Sequence, residues 1–248
     1  MFSRRIKSFL RDNIWVFLKA RWKLKSGIDI SVASDSDWFV YNEIFANKEY
    51  DTALLLLFSS KIKDPLIFDL GANVGYFTLK VADELKQAGI ENFRIIAVEA
   101  SPSNYSLLKN RMSQPALKDK VRAYLGLAGY KSGSEIVMHS QHHYGHSAFP
   151  ANAKGKNVVV EYLDLEKLIN DTDEITFLKC DIEGSEEVFI KEYSSLLLRV
   201  KHAVFEFHAG DCNVVHCRKM LSDAGLMPKG DVKEDPVYKT TVEVFSRS

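Results

Sequence analysis

The chain has 248 residues and no net charge, with 33 Lys and Arg balancing 33 Asp and Glu. A protein that wraps nucleic acid needs surplus positive charge to displace counterions, so this balance excludes a whole-protein nucleic-acid surface. Cysteine is scarce: Cys180, Cys212 and Cys217 cannot staple a fold of this size, and an odd number leaves one thiol unpaired. That usage fits a reducing compartment. Thirteen Gly and six Pro are too few for a collagen-like or low-complexity chain. The longest apolar run, Ala53 to Phe58, falls far short of the ~20 residues that span a bilayer. Near the basic start, Ile14 to Leu18 is too brief for a signal-peptide core. What remains is an ordinary globular composition, 46% apolar and 11% aromatic, predicted to be soluble and cytoplasmic.

The neutrality is a sum of unlike parts. Residues 1–25 hold eight Lys and Arg against Asp12 alone, so they carry +7 and the remainder −7. Phe2, Ile6, Phe9, Leu10, Phe17 and Leu18 recur at helical spacing there, with Trp15 and Trp22 in the same segment. The pattern predicts a basic amphipathic helical extension over residues 1–42, ahead of a domain over 43–248. Such a helix packs its apolar stripe on the domain, or lies peripherally on an anionic membrane through residues 1–25.

Strands and helices alternate in the rest. Pro65 to Leu70, Phe93 to Val98, Val121 to Leu127, Ile175 to Cys180, His202 to Phe207 and Thr240 to Phe245 read as strands. Glu135 to Met138 and Val158 to Tyr162 add two more around a His- and Gly-containing loop. Helices are expected over Tyr76 to Lys86, from Ser101-Pro102, from about Glu186, and from Asp211 through Met220. This alternation predicts an α/β fold with a mostly parallel sheet covered on both faces.

The most informative stretch is F-D-L-G-A-N-V-G-Y-F-T over residues 68–78. Gly71 and Gly75 let the backbone turn tightly and approach a ligand beyond a strand end. The spacing is G-x-x-x-G, not the G-x-G-x-x-G of dinucleotide binders. Asp69 repels a phosphate but attracts an ammonium, and Glu99, thirty residues on, stands where an acid binds ribose hydroxyls. A ligand with an amino acid at one end and a ribose at the other suits both, and S-adenosylmethionine (SAM) has that layout.

With these residues in view, the segments F-D-L-G-A-N-V-G-Y-F-T-L (68–79), V-E-A-S-P-S-N-Y-S-L-L (98–108) and F-L-K-C-D-I-E-G-S-E (177–186) resemble the FkbM-type SAM-dependent methyltransferases. The resemblance runs from about Glu43 to the C-terminus. It implies a Rossmann-like class I methyltransferase fold, a seven-stranded sheet with the last strand antiparallel, and O-methylation of a sugar, glycan, glycolipid or hydroxylated metabolite. It also implies that Asp69, Gly71, Asn73 and Gly75 surround the methionine part of SAM and that Glu99 holds the ribose. The turn Gly126 to Gly129, with Ala128, then lies beside the adenine.

Catalytic candidates are expected at the carboxyl ends of the fourth and fifth core strands. Asp181 and Glu183 follow one; Glu206 and His208 share a face of the other. Histidine is the commonest general base near neutral pH, and an adjacent carboxylate can orient it. The same four residues would also suit a divalent metal, an alternative left open but not favoured. The resemblance also implies that His146 and Ser147, in the loop 141–147, are acceptor-site candidates. Cys212, His216 and Cys217 read as core packing, with zinc the lesser reading. Two other functions remain: an NAD(P)-dependent Rossmann-fold oxidoreductase, and a non-catalytic membrane-associated binding module.

Overall fold

The computed structural model describes residues 20–58, 63–139, 156–230, 233–237 and 239–247. Leu66–Leu70 (β3) and Ile175–Cys180 (β8) are buried at every position, as strands covered on both faces must be. They lie parallel with Asp69 opposite Lys179, so the charge each strand buries meets its counter-charge across the ladder. Arg94–Glu99 (β4) and Val121–Leu125 (β5) extend the sheet on one side of β3. On the other side Val200–His208 (β9) runs parallel to β8, and Thr240–Arg247 (β12) antiparallel to β9. Leu226–Pro228 (β10) closes that edge, and Lys233–Asp235 (β11) pairs with the start of β12.

The order β10-β12-β9-β8-β3-β4-β5 reverses its winding between β3 and β8, and a crevice opens at such a point beyond the carboxyl ends of the strands. The predicted fold class holds, antiparallel last strand included. β11 makes the sheet eight-stranded rather than seven. Ser134–His139 (β6) and Lys156–Glu161 (β7) form a separate antiparallel hairpin. The loop between them, with His146 and Ser147, lies outside the described residues.

Residues 20–58 explain why the helix after β3 is buried on nearly every face. In Tyr76–Gln87 (α3) even Thr78, Lys80 and Asp83 are buried. A helix buried all round needs cover on the side away from the sheet. That cover comes from Ala20–Lys23 (β1), Asp29–Val32 (β2), Asp35–Tyr41 (α1), a π-turn over Asn42–Ala46, and Asp51–Phe58 (α2). Ile28, Ile30 and Val32 join one core cluster with Val81 and Leu85. Tyr41 and Phe45 set ring edges against Tyr76, and Tyr50 against Phe77. Each such ring contributes roughly 1.5–3 kcal/mol on burial.

One buried ion pair fixes this cover. Arg111, in Pro102–Met112 (α4), donates to both oxygens of Asp37 at 2.7–2.8 Å and to the Val74 carbonyl at 2.8 Å. It therefore ties α1 to the loop after β3.

The helical extension expected over residues 1–42 is corrected within its described part. Residues 20–32 form an antiparallel strand pair, because Ile28, Ile30 and Val32 alternate with polar neighbours and bury one face. Residues 1–19, where the amphipathic helix was expected, lie outside the described residues. The remaining helices on the sheet are Glu186–Glu192 (α5), Ser194–Leu197 (α6) and Val214–Asp223 (α7). Asn213, not Asp211, caps α7 by accepting from the His216 amide. No helix among the described residues is long and apolar enough to cross a membrane.

Candidate active site

The loop after β3 is held from below. Asp69 has no exposed surface; Thr78 donates to its Oδ2 at 2.6 Å, and the Lys179 ammonium lies 3.6 Å from Oδ1. Burial raises the Asp69 pKa, against the pull of Lys179 and Thr78. Lys179 also donates to the Gly71 carbonyl at 2.9 Å and to Asp181 at 3.2 Å. Burial alone would lower its pKa, but Asp181 and Asp69 outweigh that and raise it. One buried cation thus joins the loop, the motif acid beneath it and the acid at the end of β8. Sequence reasoning missed Lys179, although a lysine inside the apolar run of β8 was the available signal.

Gly71 allows the loop to lie against β8. It adopts φ +73°, and an added Cβ would stand 1.6 Å from the Asp181 carbonyl oxygen. Asn73 follows at φ 50°, a left-handed conformation that asparagine tolerates better than most residues. Its amide donates to Glu99 Oε2 at 2.8 Å, and the Ser101 amide donates to Oε1 at 2.8 Å. Burial nevertheless pushes Glu99 up to about 7. The Glu99 carbonyl accepts from the Gly126 amide, which sets the 126–129 turn, with buried Ala128, beside the β4 end.

Gly71 and Asn73 line a pocket at the sheet edge, whereas Asp69 is buried beneath the loop. Gly75 serves packing: a Cβ there would meet Leu108 and Met112 of α4 at 2.8–2.9 Å.

The four catalytic candidates all line the same pocket. Asp181 continues the β8 ladder by donating its backbone amide to the Leu70 carbonyl. Glu183 sits at φ 54° in the turn before α5, a conformation uncommon for a non-glycine residue. Its Oε2 lies 3.2 Å from His208 Nε2, while Glu186 Oε1 lies 3.0 Å from Nδ1. Glu186 also accepts the Ile182 and Gly184 amides, which sets the turn.

Burial alone would lower the His208 pKa. Hydrogen bonds to Glu183 and Glu186, with the Glu186 and Asp181 charges, reverse this and push it up to about 11. An imidazolium has two donors and no lone pair. Glu183 and Glu186, rather than Glu206, orient its ring. Glu206 instead accepts the Tyr50 hydroxyl at 3.1 Å, and burial, then Asp181 and Glu49, push it up to about 8. Burial and the Glu206 and Asp181 charges also raise the pKa of Tyr50. Tyr50 was missed because nothing local marks a tyrosine that reaches a strand 156 residues away.

Atoms of Asp181, Glu206 and His208 lie within 4.8 Å of one another, the candidate cation site among the described residues. A metal there requires a neutral His208 that gives up one of its carboxylates. Cys212 and Cys217 are buried free thiols, hydrogen-bonded to each other, and His216 turns to Glu187 instead. They do not form a zinc set.

The chain matches the methyltransferase FkbM domain over residues 69–225. It belongs to the FkbM methyltransferase family. Its fold is similar to that of methyltransferase FkbM from Methylobacillus flagellatus KT, with 16% identity and a TM-score of 0.50 over 75% of this chain and 45% of that one. It is also similar to magnesium protoporphyrin IX methyltransferase from Synechocystis PCC 6803 with bound SAM, at 10% identity and TM-score 0.50 over 98% and 96% of the two chains. At these identities the likeness is one of fold. This family member spans less than half the length of the first structure. No curated protein matches its sequence.

Proposed function

We propose that this FkbM-family protein is a SAM-dependent O-methyltransferase acting on a hydroxyl of a sugar, glycan, glycolipid or hydroxylated metabolite. The observation that carries the reading is the Gly71–Asn73 turn, packed so closely on Asp181 that only glycine fits, with its Asn73 amide on the Glu99 carboxylate. That cradle has no side chain at Gly71, and puts an acid at the adjacent strand end. It fits a ligand with a methionine part and a ribose, whereas a pyrophosphate meets two buried acids.

When bound, SAM supplies a methyl group already activated by its sulfonium. Gly71 and Asn73 would hold the methionine end, Glu99 the ribose hydroxyls and the turn at Ala128 the adenine. Asp69 acts one layer below, by holding Thr78 and Lys179. Glu206 serves as general base: its carboxylate lines the pocket, and ionised it accepts the proton of the acceptor hydroxyl. General-base assistance of this kind contributes about 10²–10⁴ in rate. Asp181 orients the acceptor, and Glu183 and His208 form a fixed ion pair on the wall. The methyltransferase unit runs over residues 43–248, with 20–42 packed on it as cover.

Calorimetry with S-adenosylhomocysteine and with NADH, joined to transfer of labelled methyl groups from SAM into fractionated lipid and polysaccharide, tests this. S-adenosylhomocysteine binding and label in a hydroxylated product are expected. NADH binding in its place would support the oxidoreductase reading and overturn this one. S-adenosylhomocysteine binding with no transfer in any fraction would support a binding module.

A further inference from the structure

Helix α4 supports the cofactor cradle at two points. At its start the Ser101 amide donates to Glu99 Oε1, and near its end the Arg111 guanidinium donates to the Val74 carbonyl at 2.8 Å. Val74 follows Asn73, whose amide donates to the other Glu99 oxygen. Gly75 lets this loop lie against α4, since a Cβ there would meet Leu108 and Met112. The turn that holds Asn73 at φ 50° is therefore braced by α4.

The brace does not end at α4. Arg111 is buried, and its Nη2 donates to both oxygens of Asp37 at 2.7–2.8 Å and to the Ser31 carbonyl at 2.9 Å. The guanidinium lies 4.4 Å from the centre of the Tyr76 ring, whose hydroxyl donates to the same Ser31 carbonyl at 2.8 Å. Asp37 has no exposed surface and also accepts the Ala33 amide at 2.7 Å. Ser31, Ala33 and Asp37 lie outside the family match at residues 69–225 and outside the pocket lining, to which Asn73 belongs. One planar cation with a rigid fork of donors thus joins a segment away from the pocket to the loop that forms it. If either end shifted, a buried charge or carbonyl would be stranded, so the place of the Val74 carbonyl follows the place of Asp37.

We propose that Arg111 is a positioning residue for the cofactor, which sets the Asn73–Val74 peptide and makes SAM affinity depend on Asp37 in the cover. The proposal rests on the methyltransferase reading above. Arg111 acts through the loop and touches neither SAM nor acceptor. Coupling of this kind is reciprocal, so the bound cofactor in turn holds Ser31 to Asp37 more firmly.

The test uses the full chain and S-adenosylhomocysteine. Calorimetry compares the wild type with Arg111→Lys, Asp37→Asn, their combination and Leu54→Ala, at a temperature where melting curves show each chain folded. Lysine has no fork to serve both Val74 and Asp37, and asparagine removes the counter-charge at nearly constant shape. Each single variant is expected to bind about tenfold more weakly, and the double variant little worse than either, because both break one chain of contacts. Leu54→Ala opens the same cover at a buried position of α2, so it should lower the melting temperature and leave affinity unchanged. In the wild type, amide hydrogen exchange over residues 31–37 should slow when S-adenosylhomocysteine binds, a measurement that stands even if a variant fails to fold. Unchanged affinity in Arg111→Lys and Asp37→Asn, a double variant weakened by the product of the two losses, an equal loss in Leu54→Ala, or exchange indifferent to the ligand would each overturn the proposal. A wild type that does not bind S-adenosylhomocysteine would overturn the cofactor reading itself, so the two failures are distinct.

Discussion

His208 Nδ1 lies 3.0 Å from Oε1 of Glu186, a carboxylate with no exposed surface. With Glu183 at the other ring nitrogen, the imidazole stands between two acids, which push its pKa up to about 11. Both carboxylates that hold the ring come from the turn and helix after β8, not from the Glu206 that stands two residues before it.

The pH dependence of stability follows from that pairing. The His208 pKa is raised in the folded chain, so its contribution is fully present below its ordinary value of about 6.5. It is lost as pH rises toward about 11. Chemical denaturation across pH 6–10 should show this decline in the wild type and a flatter profile in His208→Ala. The variant should also lose about 3 kcal/mol near neutral pH, because it strands a buried acid. An unchanged slope would show that the ring is neutral.

Glu206 makes a separate prediction for turnover. Burial and the neighbouring acids hold it up to about 8, so kcat/KM should rise with pH and level off above that value. Glu206→Gln should lower turnover about 10²–10⁴-fold and abolish the limb. Tyr50→Phe removes the donor that favours the charged carboxylate, so the limb should move to higher pH. If His208→Ala abolished the limb and Glu206→Gln left it intact, the roles would be reversed.

Gly71 and Gly89 separate backbone conformation from steric contact. Both have positive φ, +73° and +76°, but a Cβ at Gly89 meets nothing within 4 Å. Alanine at either position carries the left-handed strain, about 1 kcal/mol or slightly more. Gly71→Ala must in addition displace the Asp181 carbonyl, so it should be the more destabilising by about 2 kcal/mol or more and should lose S-adenosylhomocysteine binding. Thermal melts and calorimetry check both; equal losses would mean that the loop moves freely from β8.

Much of the sheet was legible because its strands are short apolar runs closed by turn residues, as Leu66 to Leu70 is by Gly71. The three-residue strands β10 and β11 were not: Met227 and Pro228 are exposed, and so carry no burial pattern. The strand pair at residues 20–32 was hidden for another reason. Basic residues and aromatics at helical spacing before it drew the reading, while the alternation of Ile28, Ile30 and Val32 lay just beyond. In the site, sequence brought together Asp181, Glu183, Glu206 and His208 because each stands at or just beyond the carboxyl end of a core strand. It could not see Lys179 as the joint of the loop or Tyr50 on Glu206. Those roles arise from contacts across more than a hundred residues. The charge of His208 was equally out of reach, since Glu186 approaches it only once α5 is packed.

The most direct test of the central claim is a crystal structure of the full chain with S-adenosylhomocysteine. The predicted complex has the methionine end against the Gly71–Asn73 backbone, the ribose hydroxyls on Glu99, and the sulfur facing the compartment that holds Glu206. A ligand seated elsewhere on the sheet edge, or a ribose with no contact to Glu99, would contradict the account.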